Sequence, residues 1–286
     1  MKVASLFGQG KTVFSFEVFP PKKTGSIDTI YSTLEGLRDL HPDYISVTYG
    51  AGGNTADTKT RDIAAAIKSR YGIESVAHLT CVSCSKEDVK VILDDFADHG
   101  IENILALRGD INPDVPPKTD FRYASELIEF IRENGDFGIE GACYPEGHSE
   151  CESRSVDIRN LRHKVDCGAQ TLVSQLFFDN KCFYSFLARA RAAGIEVPIS
   201  AGIMPVTNKA QIERMVTMCG ASMPRRLARL MSRYADNPEA LIDAGVDYAV
   251  SQIADLIAHG VEGIHLYTMN NPRIAKRISD SVSSLL

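Results

Sequence analysis

Short β-rich runs alternate with longer amphipathic segments along this chain, and eight such alternations predict an α/β fold built as a closed parallel (β/α)8 TIM barrel. Strand candidates fall at residues 12–19, 44–49, 75–81, 103–108, 139–144, 171–177, 198–204 and 263–268. Through the seventh, their starts recur about every 27–36 residues, the size of a strand-plus-helix unit. No G-x-G-x-x-G follows the first strand, which argues against an open dinucleotide-binding sheet.

The elements between the strands justify themselves in order. Residues 27–40 place Ile30, Leu34 and Leu37 on one helical face, with Ser26 at the N-terminus. Residues 86–99 do the same with Val89, Leu93 and Phe96, opened by Ser85 with Asp88 in a capping pattern. Gly100, Gly168 and Gly194 end helical runs just before the next strand. The gap before the eighth strand is longer and holds an extra helical segment, 223–234, ahead of a helix over 240–259. No linker or low-complexity block divides residues 1–286, so one barrel domain is expected.

The bulk properties exclude several function classes. Of 286 residues, 44% are hydrophobic and 24% charged, enough apolar residue to build a core without metal or disulfide staples. Net charge is −6 without a basic tract, which argues against nucleic acid as a partner. No secretion-signal pattern opens the chain and no apolar run approaches ~18 residues, so a cytoplasmic location and no membrane partner are expected. Seven scattered cysteines suit reduced thiols better than a disulfide framework.

In such a barrel the chemistry gathers at the C-terminal ends of the strands. There the first strand offers Glu17, the second Thr48, the third His78, the fourth Asp110 after Arg108 and Gly109, and the sixth Gln175. Glu17 lies in sequence among Phe14, Phe16, Val18 and Phe19; an apolar setting would raise its pKa and suit a general acid, while an arginine-paired structural glutamate is the alternative. Gly109 would let the backbone approach a ligand closely, although an Asp at a strand-to-helix turn is also ordinary. Asp157, Asn160 and Lys164 fall within about 60° of one another on a helix. That face suits a sugar and pyrophosphate, and equally a solvated helix surface.

Read together, these strand ends resemble the methylenetetrahydrofolate reductase family. The resemblance rests on FSFEVFPPK (14–22), SVTYGA (46–51), AHLTC (77–81), LALRGD (105–110), YPEGH (144–148), DIRNLRHKVDCGA (157–169), SQLFFD (174–179) and GIMPV (202–206), in order along the chain. It implies a (β/α)8 barrel with non-covalent FAD and ping-pong chemistry. NADH or NADPH would reduce the flavin, and hydride from flavin N5 would convert 5,10-methylenetetrahydrofolate to 5-methyltetrahydrofolate, usually for methionine supply. It further implies catalytic roles for Glu17, as proton donor opening the folate ring, and for Asp110, beside pterin and flavin. Gln175, Asp110 and Thr48 would bind substrate. Thr48, His78, Arg108, Gly109, Asp110, Tyr123, Ala124, Tyr144, His148, Asp157, Asn160, His163 and Lys164 would bind the flavin cofactor. No metal is implied, and homo-oligomers are expected by likeness.

Three departures from the pattern stand out. His163 replaces an arginine found in some relatives. Lys209 stands where some carry a phenylalanine that stacks on nicotinamide or folate. Asn271, with Arg273 two residues on, stands where a substrate-binding arginine is expected. Lys209 leaves room for an alternative in which a partner protein delivers the electrons. Cys81 and Cys84 form a C-x-x-C that could be a redox pair or half a metal site, with Cys143, His148 and Cys151 nearby in sequence. A silent binding subunit and a barrel lyase are further alternatives; the intact Glu17, Asp110 and Gln175 argue against the first. The lack of a Gly-rich phosphate loop and of a strand-borne Schiff-base lysine argues against the second.

Overall fold

A computed structural model describes residues 1–21, 26–49, 58–111 and 117–286. Eight parallel strands close on themselves in the order β1 (Val13–Val18), β2 (Tyr44–Val47), β3 (Glu74–Thr80), β4 (Asn103–Leu107), β5 (Gly138–Cys143), β6 (Thr171–Ser174), β7 (Ile199–Ile203) and β8 (Gly263–Tyr267), with β8 pairing back to β1. All eight expected strands are found. The sixth is shorter than expected and ends at Ser174; Gln175 still donates from its backbone N to Cys143 O of β5 (2.8 Å), while its side chain accepts from Leu176 N (2.8 Å).

The helices follow the strands: α1 (Asp28–Arg38), α2 (Lys59–Tyr71), α3 (Lys86–Asp98), α4 (Ala124–Asn134), α5 (Arg154–Cys167), α6 (Asn180–Ala192), α7 (Lys209–Cys219), α8 (Arg225–Arg233), α9 (Pro238–Ala258) and α10 (Pro272–Val282). The capping reading at α3 holds in full: Ser85 Oγ accepts from Asp88 N while Asp88 accepts from Ser85 N. Ser26 acts more loosely, accepting from Asp28 N (3.1 Å) one residue ahead of the helix cap. Gly100, Gly168 and Gly194 all adopt positive φ after their helices.

Strand alternation sorts the core into two populations. Outward residues such as Phe14, Phe16 and Val18 join helix residues such as Ile30, Leu34 and Leu37 in the ring between barrel and helices. Inward, the lower barrel holds Val13, Tyr44, Val76, Leu105 and Val173, closed from below by Val3 of a short 3-10 turn. Val3 N donates to Asn103 Oδ1 (2.8 Å), which pins that plug to β4. A third apolar cluster joins α7, α8 and α9 through Ile212, Leu227, Met231 and Leu241 to Leu176, Phe178, Met204 and Val206 beside the strand ends. The extra segment therefore roofs one side of the barrel mouth.

Candidate functional site

The cavity lies where the strand-end argument places it. About 550 Å³ of space opens at the C-terminal ends of the strands, within the range of small-molecule sites. Its lining includes Glu17, Thr48, His78, Arg108, Gly109, Asp110, Tyr144, His148 and Gln175. Nine of the residues singled out from sequence thus converge on one pocket from the ends of six strands, β1 to β6.

Glu17 needs a correction. The phenylalanines beside it in sequence are not beside it in space, because neighbouring strand residues point to opposite faces. Glu17 points into the barrel, where it is 7% exposed. Its Oε2 lies 3.5 Å from His78 Nε2 and 3.6 Å from His265 Nε2. Pairing of β1 with β2 and β8 sets Ser46 and Tyr267 at its sides. Its surroundings are imidazole, hydroxyl and phenol rather than hydrocarbon, and the arginine-paired alternative is not what the geometry holds.

Burial governs the electrostatics of this floor. His78 is pushed down to about 4 by burial, against the opposing pull of Glu17, so its ring is neutral near pH 7. Its Nε2 is buried and has no hydrogen-bond partner among the described residues, an unmet polar atom aimed at the site. Burial, with Glu17 nearby, drives the Tyr267 phenol well above its ordinary range, and burial lifts Tyr144 to about 12. Both remain neutral hydroxyls. Tyr267 donates to Ser174 O (2.8 Å), and Gly202 makes this possible: a Cβ there would stand 2.2 Å from Ser174 O and 2.7 Å from the Tyr267 hydroxyl.

The opposite wall is built by the turns after β4 and β5. Gly109 has φ +87°, and a Cβ there would meet Thr80 Cβ at 2.9 Å, so only glycine fits this turn. Asp110 is exposed at the mouth beside it. Arg108 forms a two-bond pair with Glu150 (2.6 and 2.8 Å), which raises the arginine further. His148 packs edge-on to Tyr144 at 4.6 Å and accepts from Glu150 N.

The remaining expected residues lie outside the cavity lining. Tyr123 is exposed at the N-cap of α4, with Ala124 following it. Asp157 and Lys164 sit behind the β5 wall. Lys164 Nζ donates to Ala142 O (2.6 Å), on the far side of a lining residue, and burial lowers its pKa while Asp157 opposes that. Burial raises Asp157 in turn. Asn160 faces Cys151 Sγ at 3.9 Å. His163 turns the other way, against Cys167 Sγ at 3.8 Å.

The departures acquire physical meaning. Asn271 caps α10, accepting from Ile274 N (3.2 Å). Lys209 begins α7 and reaches toward Glu213 (3.9 Å); the cavity wall from this segment is instead Met215 and Cys219. Sequence reasoning missed Tyr267, Ser174, Met204 and His265. The signal was available for His265 and Tyr267, since polar residues alternate with apolar ones in the last strand. The C-x-x-C thiols are buried, and burial lifts Cys81 to about 12 and Cys84 to about 11. No group of three or more ligating side chains that could hold a metal occurs among the described residues. No helix among them is long and apolar enough to cross a membrane.

Comparison with known proteins places the chain in a family. The family model described as methylenetetrahydrofolate reductase matches residues 2–283. The chain is 37% identical to the 5,10-methylenetetrahydrofolate reductase of Pectobacterium carotovorum subsp. carotovorum, over 94% of this chain and 90% of that protein. The Escherichia coli (strain K12) protein of the same name is 36% identical with the same coverage. Methylenetetrahydrofolate reductase (NADH) 1 of Arabidopsis thaliana is also 36% identical, with 48% of its length covered. Among solved structures, an uncharacterized protein from Clostridium thermocellum, described as binding two copies of 5-methyl-5,6,7,8-tetrahydrofolic acid, superposes with TM-score 0.67 at 12% identity, covering 96% of each chain. That last likeness speaks for the fold alone. With nearly its whole length matched, the chain belongs to the methylenetetrahydrofolate reductase family, oxidoreductases of folate one-carbon metabolism.

Proposed function

We propose that the chain reduces 5,10-methylenetetrahydrofolate to 5-methyltetrahydrofolate, using non-covalent FAD at the barrel mouth and NADH or NADPH as hydride source. The observation that carries the reading is Glu17, an inward carboxyl group at the floor of a roughly 550 Å³ cavity, with neutral His78 and the polar Gln175 and Asp110 around the same space. The residues present suit a flavin. The unmet Nε2 of His78 offers a polar partner, and Gly109, packed closely on Thr80 and Val82, brings its turn into the cavity lining. Thr48, Arg108, Tyr144 and His148 add donors and an aromatic wall. Asp157, Asn160 and Lys164, behind that wall, are the candidates for the ribityl and phosphate portion.

FAD, when bound, supplies the capacity to take up and give back a hydride. The chain supplies placement and protons. Glu17 would deliver a proton to the folate ring nitrogen so that the five-membered ring opens. Gln175 would hold the pterin by its amide, as a side chain able both to donate and to accept. Asp110 would place a negative charge by the pterin and the flavin ring. Leu105, Leu107, Val173 and Met204 line the cavity and exclude water from the reacting atoms.

Purified protein should be yellow with a flavin absorption spectrum. Anaerobic NADH or NADPH should bleach it, and methylenetetrahydrofolate should restore the colour. Bleaching only with an added redox protein would favour the partner-fed alternative, and a colourless protein that cannot be loaded with FAD would end the proposal.

A further inference from the structure

His265 lies on β8 opposite Ser15, two residues below Tyr267, the register partner of Glu17, and is fully buried. Its ring is held on several sides. Tyr44 stacks on it at 6.1 Å with planes 25° apart, and Tyr267 meets it edge-on at 5.5 Å. Nδ1 lies 2.7 Å from Ser15 Oγ. The Ser15 hydroxyl has one hydrogen, and Ile264 O at 3.3 Å is placed to accept it. With that hydrogen on Ile264 O, the remaining lone pairs of Ser15 Oγ are free to accept from the ring, the arrangement in which Nδ1 is the protonated nitrogen. Nε2 is left with a lone pair. It faces Ser46 Oγ at 3.4 Å and Glu17 Oε2 at 3.6 Å.

We propose that His265 is a positioning residue for Glu17: fixed as the Nδ1–H tautomer by Ser15, it presents an acceptor at Nε2 that holds the acidic hydrogen on Glu17 Oε2 and fixes the direction of the carboxyl group. The inference rests on the reading of Glu17 as proton donor. It assigns a task to a buried imidazole that the proposed reaction otherwise leaves unused. The proton held on Oε2 is the one passed to the substrate nitrogen, and none is taken from the ring. At 3.6 Å the contact is longer than a hydrogen bond, as pre-reaction contacts in ligand-free sites often are before they close on substrate. His78, the other ring at Oε2, comes from β3, and its Nε2 has no hydrogen-bond partner among the described residues.

Two measurements test it. Histidine ¹⁵N labelling of the holoenzyme, with the His265 signals assigned by their loss in His265→Gln, should show a neutral Nδ1–H ring near pH 7. An imidazolium, or the Nε2–H tautomer, would overturn the inference whatever the activity. In half-reactions, His265→Asn should leave flavin reduction by the nicotinamide within about twofold, while slowing folate reduction about 10²-fold with KM little changed, the size of a misplaced reacting group. His265→Gln, whose Oε1 can stand at the place of Nε2, should recover most of that loss. Equal losses in both variants would mean that the ring only packs. A wild-type enzyme lacking the folate half-reaction would instead sink the functional reading and leave the tautomer result standing.

Discussion

At the residue scale, function depends on a few side chains whose ordinary chemistry is altered by where the barrel puts them. Glu17→Gln removes the proton but keeps the shape. It should retain flavin and its reduction by the nicotinamide while folate turnover falls about 10²–10⁴-fold, the usual worth of a general acid. Asp110→Asn deletes a charge at the mouth, so flavin midpoint potential and folate turnover should both change; potentiometry and kinetics that match wild type would remove Asp110 from the site. Cys81 and Cys84, neutral until about pH 12 and 11, should resist iodoacetamide in the native protein at pH 8 and react once it is denatured. The residue types at the strand ends were readable in the sequence. Their neighbours were not: Glu17 looks hydrophobic in one dimension because Phe16 and Val18 flank it, yet alternation sends those two outward. Its true neighbours, His78 and His265, are 61 and 248 positions along the chain (78 − 17 and 265 − 17).

At the scale of single elements, turns and close approaches decide what the strands can present. Gly202 on β7 leaves the space in which Tyr267 reaches Ser174. Gly202→Ala must push a methyl against a backbone carbonyl and should cost about 1–3 kcal/mol, with loss of the Tyr267 hydrogen bond. Denaturant unfolding checks the first and folate KM the second; an alanine variant as stable as wild type would show that the strands yield. The α3 cap was legible because Ser and Asp three apart carry their own geometry. The cap at Asn271 was hidden, since the family pattern made the position look like an altered binding residue, and only the start of α10 shows its task. The helix bearing Asp157, Asn160, His163 and Lys164 was divided in the same way: spacing put three of them on one face, but nothing in spacing told that Lys164 would lodge on the Ala142 carbonyl.

At the scale of the whole molecule, closure of eight strands turns a linear pattern into a polar shaft with an apolar plug below and a cavity above. The count and order of the strands were legible because each helix and strand keeps its own hydrophobic period. The extra helical segment before the last strand was legible at 223–234, where α8 lies, but its packing with α7 over one side of the mouth was not. The shaft has a consequence for stability. Unfolded, His78 titrates near 6.5; folded, at about 4. Between those values the unfolded chain holds the extra proton, so stability falls as pH drops from about 6.5 to about 4, and this contribution is constant outside that window. The slope it adds reaches about 1.4 kcal/mol per pH unit. Urea unfolding across pH 4–7 should show His78→Gln losing about one proton's worth of this dependence; identical slopes would mean that the ring is not held neutral.

The most direct test of the central claim is a single turnover under anaerobic conditions. Enzyme reduced beforehand is mixed with methylenetetrahydrofolate, and the return of oxidised flavin absorbance is followed in wild type and Glu17→Gln. With Glu17 as proton donor, the wild type should reoxidise rapidly with formation of 5-methyltetrahydrofolate, and the variant at least about 10²-fold more slowly, with equal flavin content in both. Equal rates in the two proteins would contradict that role.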